Sequence, residues 1–228
     1  MRLILFDVDG TLVDARGAGS RALLLTLEEL YGRPFSRNGV RFAGRTDRAI
    51  LGDLMVANGL PVAEVETGLG LVFRALPRLM RLETERTPSI AYPGVCGLLR
   101  ELGARDGLLL GLLTGNMRAT AHLKLASAGI DSSAFVVGAF GDESADRNAL
   151  PPIALGRAEA LLGRPVSAAI VIGDTPADIE CARYNGMRSL AVATGSCSIA
   201  ELEACHPDHL FPDLAAVANV ASVLMGDG

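Results

Sequence analysis

Two aspartates, Asp7 and Asp9, lie two positions apart at the end of the apolar run at residues 3–8. Such a run is typical of a buried parallel strand whose carboxyl end carries functional groups. Gly10 follows directly and permits a tight turn, so the two acidic groups can converge. Carboxylates crowded together need a cation, and Mg²⁺, which prefers oxygen ligands and keeps several waters, suits a site that also holds phosphate. The segment therefore predicts an acidic, metal-binding site.

A second acidic pair, Asp174 and Asp178, follows another apolar run at residues 168–172. A single aspartate in such a place is more often a helix cap or a solvated loop residue. Two acidic clusters that each follow a buried run weaken that explanation. The pattern favours one site shared by both clusters.

A third strand end carries the sequence Thr114-Gly115-Asn116. Its hydroxyl group and tight backbone turn are suited to donating hydrogen bonds to a phosphoryl oxygen. The same residues can cap the helix that is predicted to begin near Met117, and the two roles are compatible.

Apolar runs of strand length recur along the chain, and helical patterns lie between most of them. The runs lie at residues 3–8, 108–113, 135–137, 168–172 and 189–192, with a weaker one at 209–211. Alternating strands and helices predict an α/β fold with an open, doubly wound parallel sheet. In such sheets ligands bind beyond the carboxyl ends of the strands, where the acidic pairs and the Thr-Gly-Asn segment stand.

Residues 15–91 interrupt this alternation, since they contain helical patterns and no convincing strand. They are predicted to form an inserted, all-helical cap domain, and residues 1–14 with 92–228 are predicted to form the α/β core domain. Glycines at the entry to the insertion and Pro88 and Pro93 near its exit are suited to linkers that turn or flex.

Composition excludes several classes of protein. The formal net charge is −5 with acidic and basic residues mixed, so no basic stripe indicates nucleic-acid binding. No apolar run reaches the roughly 20 residues needed to span a bilayer, and no signal-peptide core is visible, so we expect a cytoplasmic protein without a membrane partner. The four cysteines lack zinc-site spacing. No feature indicates an oligomeric state.

The motifs DxDGT, TGN and GDxxxD occur in this order, and together they resemble the haloacid dehalogenase superfamily in its branch with an inserted helical cap. The resemblance covers essentially the whole chain. The sequence FAGRT at residues 42–46 and YPGV at residues 92–95 are most similar to phosphoglycolate phosphatase-like members. Of all these motifs, DxDGT is the most specific.

The resemblance implies a Mg²⁺-dependent phosphohydrolase that acts on a small phosphorylated metabolite, with phosphoglycolate as one candidate. Asp7 would attack phosphorus and form an aspartyl phosphate, while Asp9 would protonate the leaving oxygen and then activate water. Thr114 would bind the transferring group. Further implied substrate-binding residues are Gly10, Thr11, Gly115, Asn116, Gly44 and Arg45. The metal would be held by Asp7, by the backbone carbonyl of Asp9, and by Asp174 and Asp178.

The family pattern has a lysine before its last motif, and here the chain departs from that pattern. When residues 147–152 are aligned with the family's segment, Arg147 stands in the place of the lysine. A guanidinium can hold a phosphoryl group and the Asp7 carboxylate together, although it is bulkier than an ammonium. We therefore assign Arg147 a catalytic role. The alternative is that Arg147 is a solvated loop residue and that Lys124, the one lysine among 21 basic residues, supplies the cation.

Other reactions of the family are separated by single residues. A dehalogenase would lack the acid at Asp9, and a phosphonatase would need a cap lysine, whereas Lys124 lies outside the predicted cap. A sugar-phosphate mutase keeps both aspartates and is the nearest enzymatic alternative. A non-catalytic binding protein on the same fold ranks lower, because every reacting residue except the lysine is present.

Substrate choice should depend on the cap, where four arginines surround Gly44: Arg37, Arg41, Arg45 and Arg48. We expect Arg45, with Arg41 or Arg48 as further candidates, to bind a second anionic group of the substrate. For any single arginine, a place on a solvated helix face is the more common situation. Movement of the cap about its linkers would control access of water.

Overall fold

The computed structural model describes residues 1–226, and its centre is a six-stranded parallel sheet. The strands form where β-branched and leucine-rich runs can be buried on both faces. In chain order they are β1 (Arg2–Phe6), β2 (Val13–Asp14), β3 (Ile90–Ala91), β4 (Leu108–Leu113), β5 (Val137–Ala139), β6 (Ala168–Gly173), β7 (Arg188–Val192) and β8 (His209–Phe211).

Helices connect the strands of the sheet and fill the segment between β2 and β3. They are α1 (Ala18–Tyr31), α2 (Asp47–Ala57), α3 (Val65–Arg86), α4 (Val95–Gly103), α5 (Arg118–Ser127), α6 (Leu150–Leu162), α7 (Pro176–Tyr184), α8 (Ile199–Glu203) and α9 (Val217–Met225). Within residues 1–226 no helix combines the length and apolarity that a bilayer crossing requires.

The large sheet has the strand order β5-β4-β1-β6-β7-β8, with every neighbouring pair parallel. Strand β1 is central, and its side chains alternate between two apolar clusters. Leu3 and Leu5 pack into the cluster on one face, while Ile4 and Phe6 pack into the cluster on the other. Burial on both faces, with helices covering each, confirms the predicted doubly wound α/β fold.

Helices α1, α2 and α3 pack around an apolar cluster of their own, which includes Leu27, Leu54 and Leu76. Strands β2 and β3 lie at the entry and exit of this helical segment and pair antiparallel, with Val13 opposite Ala91. The sequence reading placed no strand in residues 15–91, so β3 is a correction. It forms because the segments that enter and leave the helical segment run side by side and satisfy each other's backbone hydrogen-bonding groups. The division into domains stays a prediction.

Two strands, β1 and β5, have an end that lies two residues away from the end of their apolar run. Strand β1 ends at Phe6, so Asp7 and Val8 of the predicted run at residues 3–8 lie in the following loop. Strand β5 starts at Val137, because Phe135 follows a short 3₁₀ turn and packs its ring edge-on against Phe6, with centroids 5.9 Å apart. Both shifts move polar or aromatic groups out of the strand ladder and into tertiary contacts.

The four cysteines are free thiols, and Cys181 packs against the sheet without exposure to solvent. The helix that carries it, α7, ends at Tyr184, and Gly186, two residues further on, has a left-handed φ of 65°. Glycine adopts this conformation without the steric cost that a Cβ atom imposes.

Candidate active site

Three neighbouring strands deliver polar residues to one edge of the sheet. Asp7 follows β1, Thr114 follows β4 and Asp174 follows β6, and β1 lies between the other two strands. All three residues are buried. The adjacent carboxyl ends of parallel strands therefore bring together side chains that lie between 60 and 167 positions apart in the chain.

The carboxylates of Asp7, Asp174 and Asp178 form one cluster, with an oxygen of each lying within 4.8 Å of the others. Asp174 Oδ1 accepts a hydrogen bond of 3.3 Å from the Thr11 hydroxyl. Gly10 makes room for this side chain, because a Cβ atom there would lie 2.3 Å from Asp174 Oδ2. Thr11 and Gly10 thus shape the acidic cluster.

Asp178 is fixed by the first turn of α7. Its Oδ2 accepts hydrogen bonds from the backbone N–H of Thr175, at 3.0 Å, and from the Thr175 hydroxyl, at 2.6 Å. This is a capping box, and it holds one oxygen of the carboxylate at the helix N-terminus. The other oxygen, Oδ1, remains directed at the site, where it accepts a hydrogen bond from Arg147.

Arg147 lies among these acids and is itself buried. Besides its bond to Asp178, its Nη2 lies 3.4 Å from Asp7 Oδ2. Burial lowers the pKa of Arg147, but the carboxylates of Asp178 and Asp7 raise it, and the net shift is upward. The guanidinium therefore stays charged and links the two acidic strand ends.

Negative charge exceeds positive charge around Asp7. Burial raises the pKa of this carboxyl group, Arg147 opposes the rise, and the charge of Asp178 adds to it. Burial likewise raises the pKa of Asp174, and so do the charges of Asp178 and Asp7. Asp7 Oδ1 is buried and has no hydrogen-bond partner within the described residues. Oxygen ligands with excess negative charge and an unpartnered buried oxygen fit a small divalent cation.

Asp9 points to a different set of partners. Its Oδ2 accepts a hydrogen bond of 2.9 Å from Asn116 Nδ2 and a second bond from Lys124 Nζ. Asn116 Nδ2 also donates to the Thr114 hydroxyl oxygen at 3.0 Å. The side chain of Asp9 does not join the three-carboxylate cluster. From the sequence, Arg147 and Lys124 were alternative sources of the cation. In the structure both lie in the site, where Arg147 contacts Asp7 and Lys124 contacts Asp9.

The first residue of α2 and the loop before it contact the Thr-Gly-Asn segment directly. The backbone N–H of Asp47 donates to the Gly115 carbonyl at 2.6 Å, and the N–H of Met117 donates to Asp47 Oδ2 at 2.7 Å. A Cβ atom on Gly115 would lie 2.0 Å from the Arg45 carbonyl oxygen. Glycine at position 115 therefore allows the helical segment to approach the site closely.

A cavity of about 290 Å³ lies between the acidic cluster and the helical segment. Its walls include Asp7, Asp9 and Asp174 from below and Gly44 and Arg45 from above. This volume suits a small metabolite.

Of the arginines around Gly44, some line the cavity and some form ion pairs, and Arg45 does both. Arg45 lines the cavity but forms an ion pair with Asp53 at 2.8 Å, and Arg48 pairs with Glu66. Arg37 also lines the cavity, with its guanidinium 4.1 Å from the Phe42 ring centroid. The role of Arg45 in binding a second anion stays a prediction, and Arg37 is a further candidate.

Two site residues were absent from the prediction, and a third, Lys124, appeared in it only as the alternative cation. Lys124 lies on α5, Arg16 lines the cavity from the linker, and Asp47 is buried at the start of α2. Lys124 alone had a signal in the sequence, because it is the one lysine of the chain. The positions of Arg16 and Asp47 depend on how the helical segment sits on the sheet, which local patterns do not encode.

Replacing Gly44 by alanine is expected to lower kcat/KM by at least about tenfold, because it displaces the loop that covers the site. Gly44 has a φ of 71°, and a Cβ atom there would lie 2.8 Å from Ala177 Cβ. The matched control is Gly39→Ala, since Gly39 has a φ of 80° in the same loop but open space around it. Both variants should lose about 1 kcal/mol of stability from backbone strain. Equal kcat/KM values for the two would contradict a functional contact at Gly44.

An open parallel sheet that carries an acidic cluster, a buried guanidinium and a hydroxyl group at its carboxyl edge is suited to bind a cation together with a phosphoryl group. The family model of haloacid dehalogenase-like hydrolases matches residues 1–186. The chain therefore belongs to this family, as its motifs predicted, and it is a phosphatase.

Relatives of full length agree with this assignment. The chain is similar to a probable phosphatase, IndB, of Dickeya dadantii, with 29% identity over 98% of this chain and 94% of the relative. It is 28% identical to a phosphoglycolate phosphatase of Synechococcus elongatus over 99% of both chains. The crystal structure of a hydrolase from Pseudomonas syringae shares the fold, with a TM-score of 0.68, 22% identity and 96% of each chain covered.

Proposed function

We propose that this phosphatase hydrolyses small phosphomonoesters with Asp7 as nucleophile and Mg²⁺ as cofactor. The observation that carries the proposal is the surroundings of Asp7, which is buried between Arg147 and two further carboxylates and has one unpartnered oxygen. A nucleophilic carboxylate must be close to a cation that also attracts the phosphoryl group, and Arg147 satisfies this requirement.

The reaction needs two displacements at phosphorus. In the first, an oxygen of Asp7 bonds to phosphorus while the bond to the leaving oxygen breaks, and Asp9 gives that oxygen its proton. In the second, water attacks the same phosphorus, Asp9 takes the proton of the water, and the bond to Asp7 breaks. Thr114 and Asn116 lie beside Asp9 and are suited to hold the phosphoryl oxygens.

Asp7, Asp174, Asp178 and the backbone carbonyl of Asp9 are the residues that would hold Mg²⁺. The three carboxylates and the unpartnered oxygen of Asp7 support this assignment. When bound, the ion supplies positive charge that offsets repulsion between phosphate and carboxylate. Arg147 contributes charge on the side of Asp178.

Added Mg²⁺ is expected to raise the melting temperature more at pH 7.5 than at pH 5. Because the pKa values of Asp7 and Asp174 are raised by burial, the folded protein binds extra protons, and its stability without metal falls as the pH rises above about 4. Metal binding requires ionised carboxylates, so its stabilisation grows over the same range. We expect a shift of roughly 5–10 °C at pH 7.5 with metal at 100 times its Kd.

Thermal melts with and without MgCl₂ at the two pH values measure this effect. The variant Asp174→Asn should show little metal-dependent shift at either pH. A shift of equal size at pH 5 and pH 7.5, or one that survives in Asp174→Asn, would contradict the assigned metal site.

We propose that residues 15–91 act as a cap over the core formed by residues 1–14 and 92–228. The substrate class that the cavity suits best is a small phosphomonoester with a second anionic group. Arg16 and Arg37 line the cavity, and neither forms an ion pair within residues 1–226. The phosphoglycolate phosphatase relative supports a carboxylated substrate such as phosphoglycolate.

A screen of phosphomonoesters tests the proposed function. Phosphoglycolate, sugar phosphates, nucleotides and p-nitrophenyl phosphate would be assayed for phosphate release with Mg²⁺ and with EDTA. We expect Mg²⁺-dependent release, highest for a small anionic ester, and incorporation of ³²P into Asp7 after rapid quenching. Interconversion of sugar phosphates that exceeds hydrolysis would identify a mutase instead, and no turnover of any ester would refute the proposal.

A further inference from the structure

The single lysine of the chain, Lys124, is buried on the core side of α5, with 2% of its surface exposed. Its neighbours Ala121 and Leu125 on the same helix are apolar and fully buried. Removing an ammonium group from water is unfavourable unless it gains strong partners. A buried lysine in this position therefore indicates a specific use of its charge.

The ammonium group has two partners, and both belong to the candidate active site. Lys124 Nζ donates to Asp9 Oδ2 and to Asn116 Oδ1. Asn116 Nδ2 donates in turn to the same oxygen of Asp9 at 2.9 Å. The three side chains close a ring of hydrogen bonds, which fixes the orientation of the asparagine amide as well as that of the carboxylate.

The hydrogen bonds of this ring use one carboxylate oxygen of Asp9 and leave the other without a partner. Oδ2 accepts both bonds, whereas Oδ1 is buried and has no hydrogen-bond partner among residues 1–226. A carboxylate held by one oxygen presents the other in a fixed direction. Oδ1 is thus the oxygen of Asp9 that no group of the described residues engages, and its hydrogen-bonding capacity is left for a substrate.

Lys124 also lies where the core meets the helical segment. A Cβ atom on Gly19, in the first turn of α1, would come within 3.0 Å of Lys124 Nζ. Met117 and Leu123, which precede Lys124 in the chain, pack against the apolar cluster of α1, α2 and α3. The helical segment therefore covers the ammonium group, whereas the Asp9 side chain stays 43% exposed and lines the cavity.

We propose that Lys124 is a positioning residue that acts through Asp9: it fixes Oδ2, so that Oδ1 faces the leaving-group oxygen. This inference rests on the proposed function, because it assumes that Asp9 transfers the proton. The inference assigns different roles to the two buried cations. Arg147 serves the nucleophile Asp7, and Lys124 serves the proton donor Asp9.

The inference has a consequence that depends on the leaving group. An alkyl phosphate needs a proton on its departing oxygen, whereas p-nitrophenolate departs with little proton transfer. The variant Lys124→Met removes the charge and keeps a similar length. It is expected to lower kcat/KM for an alkyl phosphate by about 100-fold and that for p-nitrophenyl phosphate by less than about tenfold.

The double variant with Asp9→Asn sharpens the test. If Lys124 acts through Asp9, Lys124→Met should add no selective loss when Asp9→Asn is already present. Lys124→Gln keeps one donor without charge, and it should show a smaller selective loss. It also provides the comparison if Lys124→Met does not fold, as judged by its melting temperature.

Equal losses for alkyl and aryl phosphates, or selective losses that multiply in the double variant, would overturn the inference. The parent protein and Asp7→Asn, assayed in parallel, separate this outcome from failure of the proposed function. An active parent with an inactive Asp7→Asn supports Asp7 as nucleophile. An unselective Lys124 variant would then refute the positioning role alone.

Discussion

Asp7→Asn is expected to lower kcat by about 10⁴-fold or more, because an amide is a far weaker nucleophile than the carboxylate that we propose attacks phosphorus. The amide is nearly the same size as the carboxylate, so the fold should be kept. In the absence of metal the variant should melt at or above the temperature of the parent. Asp7 is buried beside Asp174 and Asp178, and the loss of one charge relieves their repulsion. Steady-state kinetics on p-nitrophenyl phosphate and thermal melts measure both effects.

Asp106→Asn is the matched control for this variant. Asp106 is exposed in the loop before β4, at the opposite end of that strand from Thr114, so the same chemical change should leave kcat and the melting temperature unaltered. Residual activity within tenfold of the parent in Asp7→Asn would reject Asp7 as the nucleophile. A large fall in melting temperature would show instead that the charge of Asp7 supports the fold.

The acidic pairs could be predicted from the sequence for a physical reason. Asp7 and Asp174 each follow a strand that is buried on both faces, and the carboxyl ends of parallel strands share one edge of the sheet. Local patterns thus determine the edge on which these residues meet. The order of the strands, which puts β1 between β4 and β6, depends on connections that no single run of residues encodes.

The contact between Lys124 and Asp9 lies beyond this kind of prediction. The two residues are 115 positions apart, and the lysine reaches the site from a helix rather than from a strand end. Helical spacing shows that Lys124 shares a face with apolar residues, but such a face is usually interpreted as core. A long side chain can cross from that face to the strand edge, and only the packing of α5 determines where its ammonium group lies.

Residues of the helical segment were hardest to assign for a related reason. The four arginines around Gly44 look equivalent in sequence, yet Arg45 pairs with Asp53 and Arg48 pairs with Glu66. The acidic partners lie within the helical segment, eight positions from Arg45 and 18 positions from Arg48 in the chain. Exposed pairs of this kind are worth less than about 1 kcal/mol, so an anionic substrate could displace Asp53 from Arg45.

Arg147→Ala is expected to lower kcat/KM by about 10³-fold, because the guanidinium is the cation that the structure puts beside Asp7. Its loss leaves Asp7 and Asp178 buried without their shared partner, so the variant should also unfold at a lower temperature when metal is absent. Added Mg²⁺ should then restore more stability than it does in the parent. Arg147→Lys keeps the charge but has one donor group in place of the fork, and a loss of roughly 10–100-fold is expected.

Arg164→Ala supplies the control, since Arg164 is exposed in the turn after α6 and should tolerate truncation. The decisive comparison uses p-nitrophenyl phosphate and an alkyl phosphate together. In the proposed reaction Arg147 acts on the nucleophile, so its variants should lose activity equally on both esters, whereas Lys124 variants should distinguish them. Unchanged turnover in Arg147→Ala would mean that the buried guanidinium serves only to hold Asp178 at the start of α7. Lys124 would then be the cation that the reaction requires.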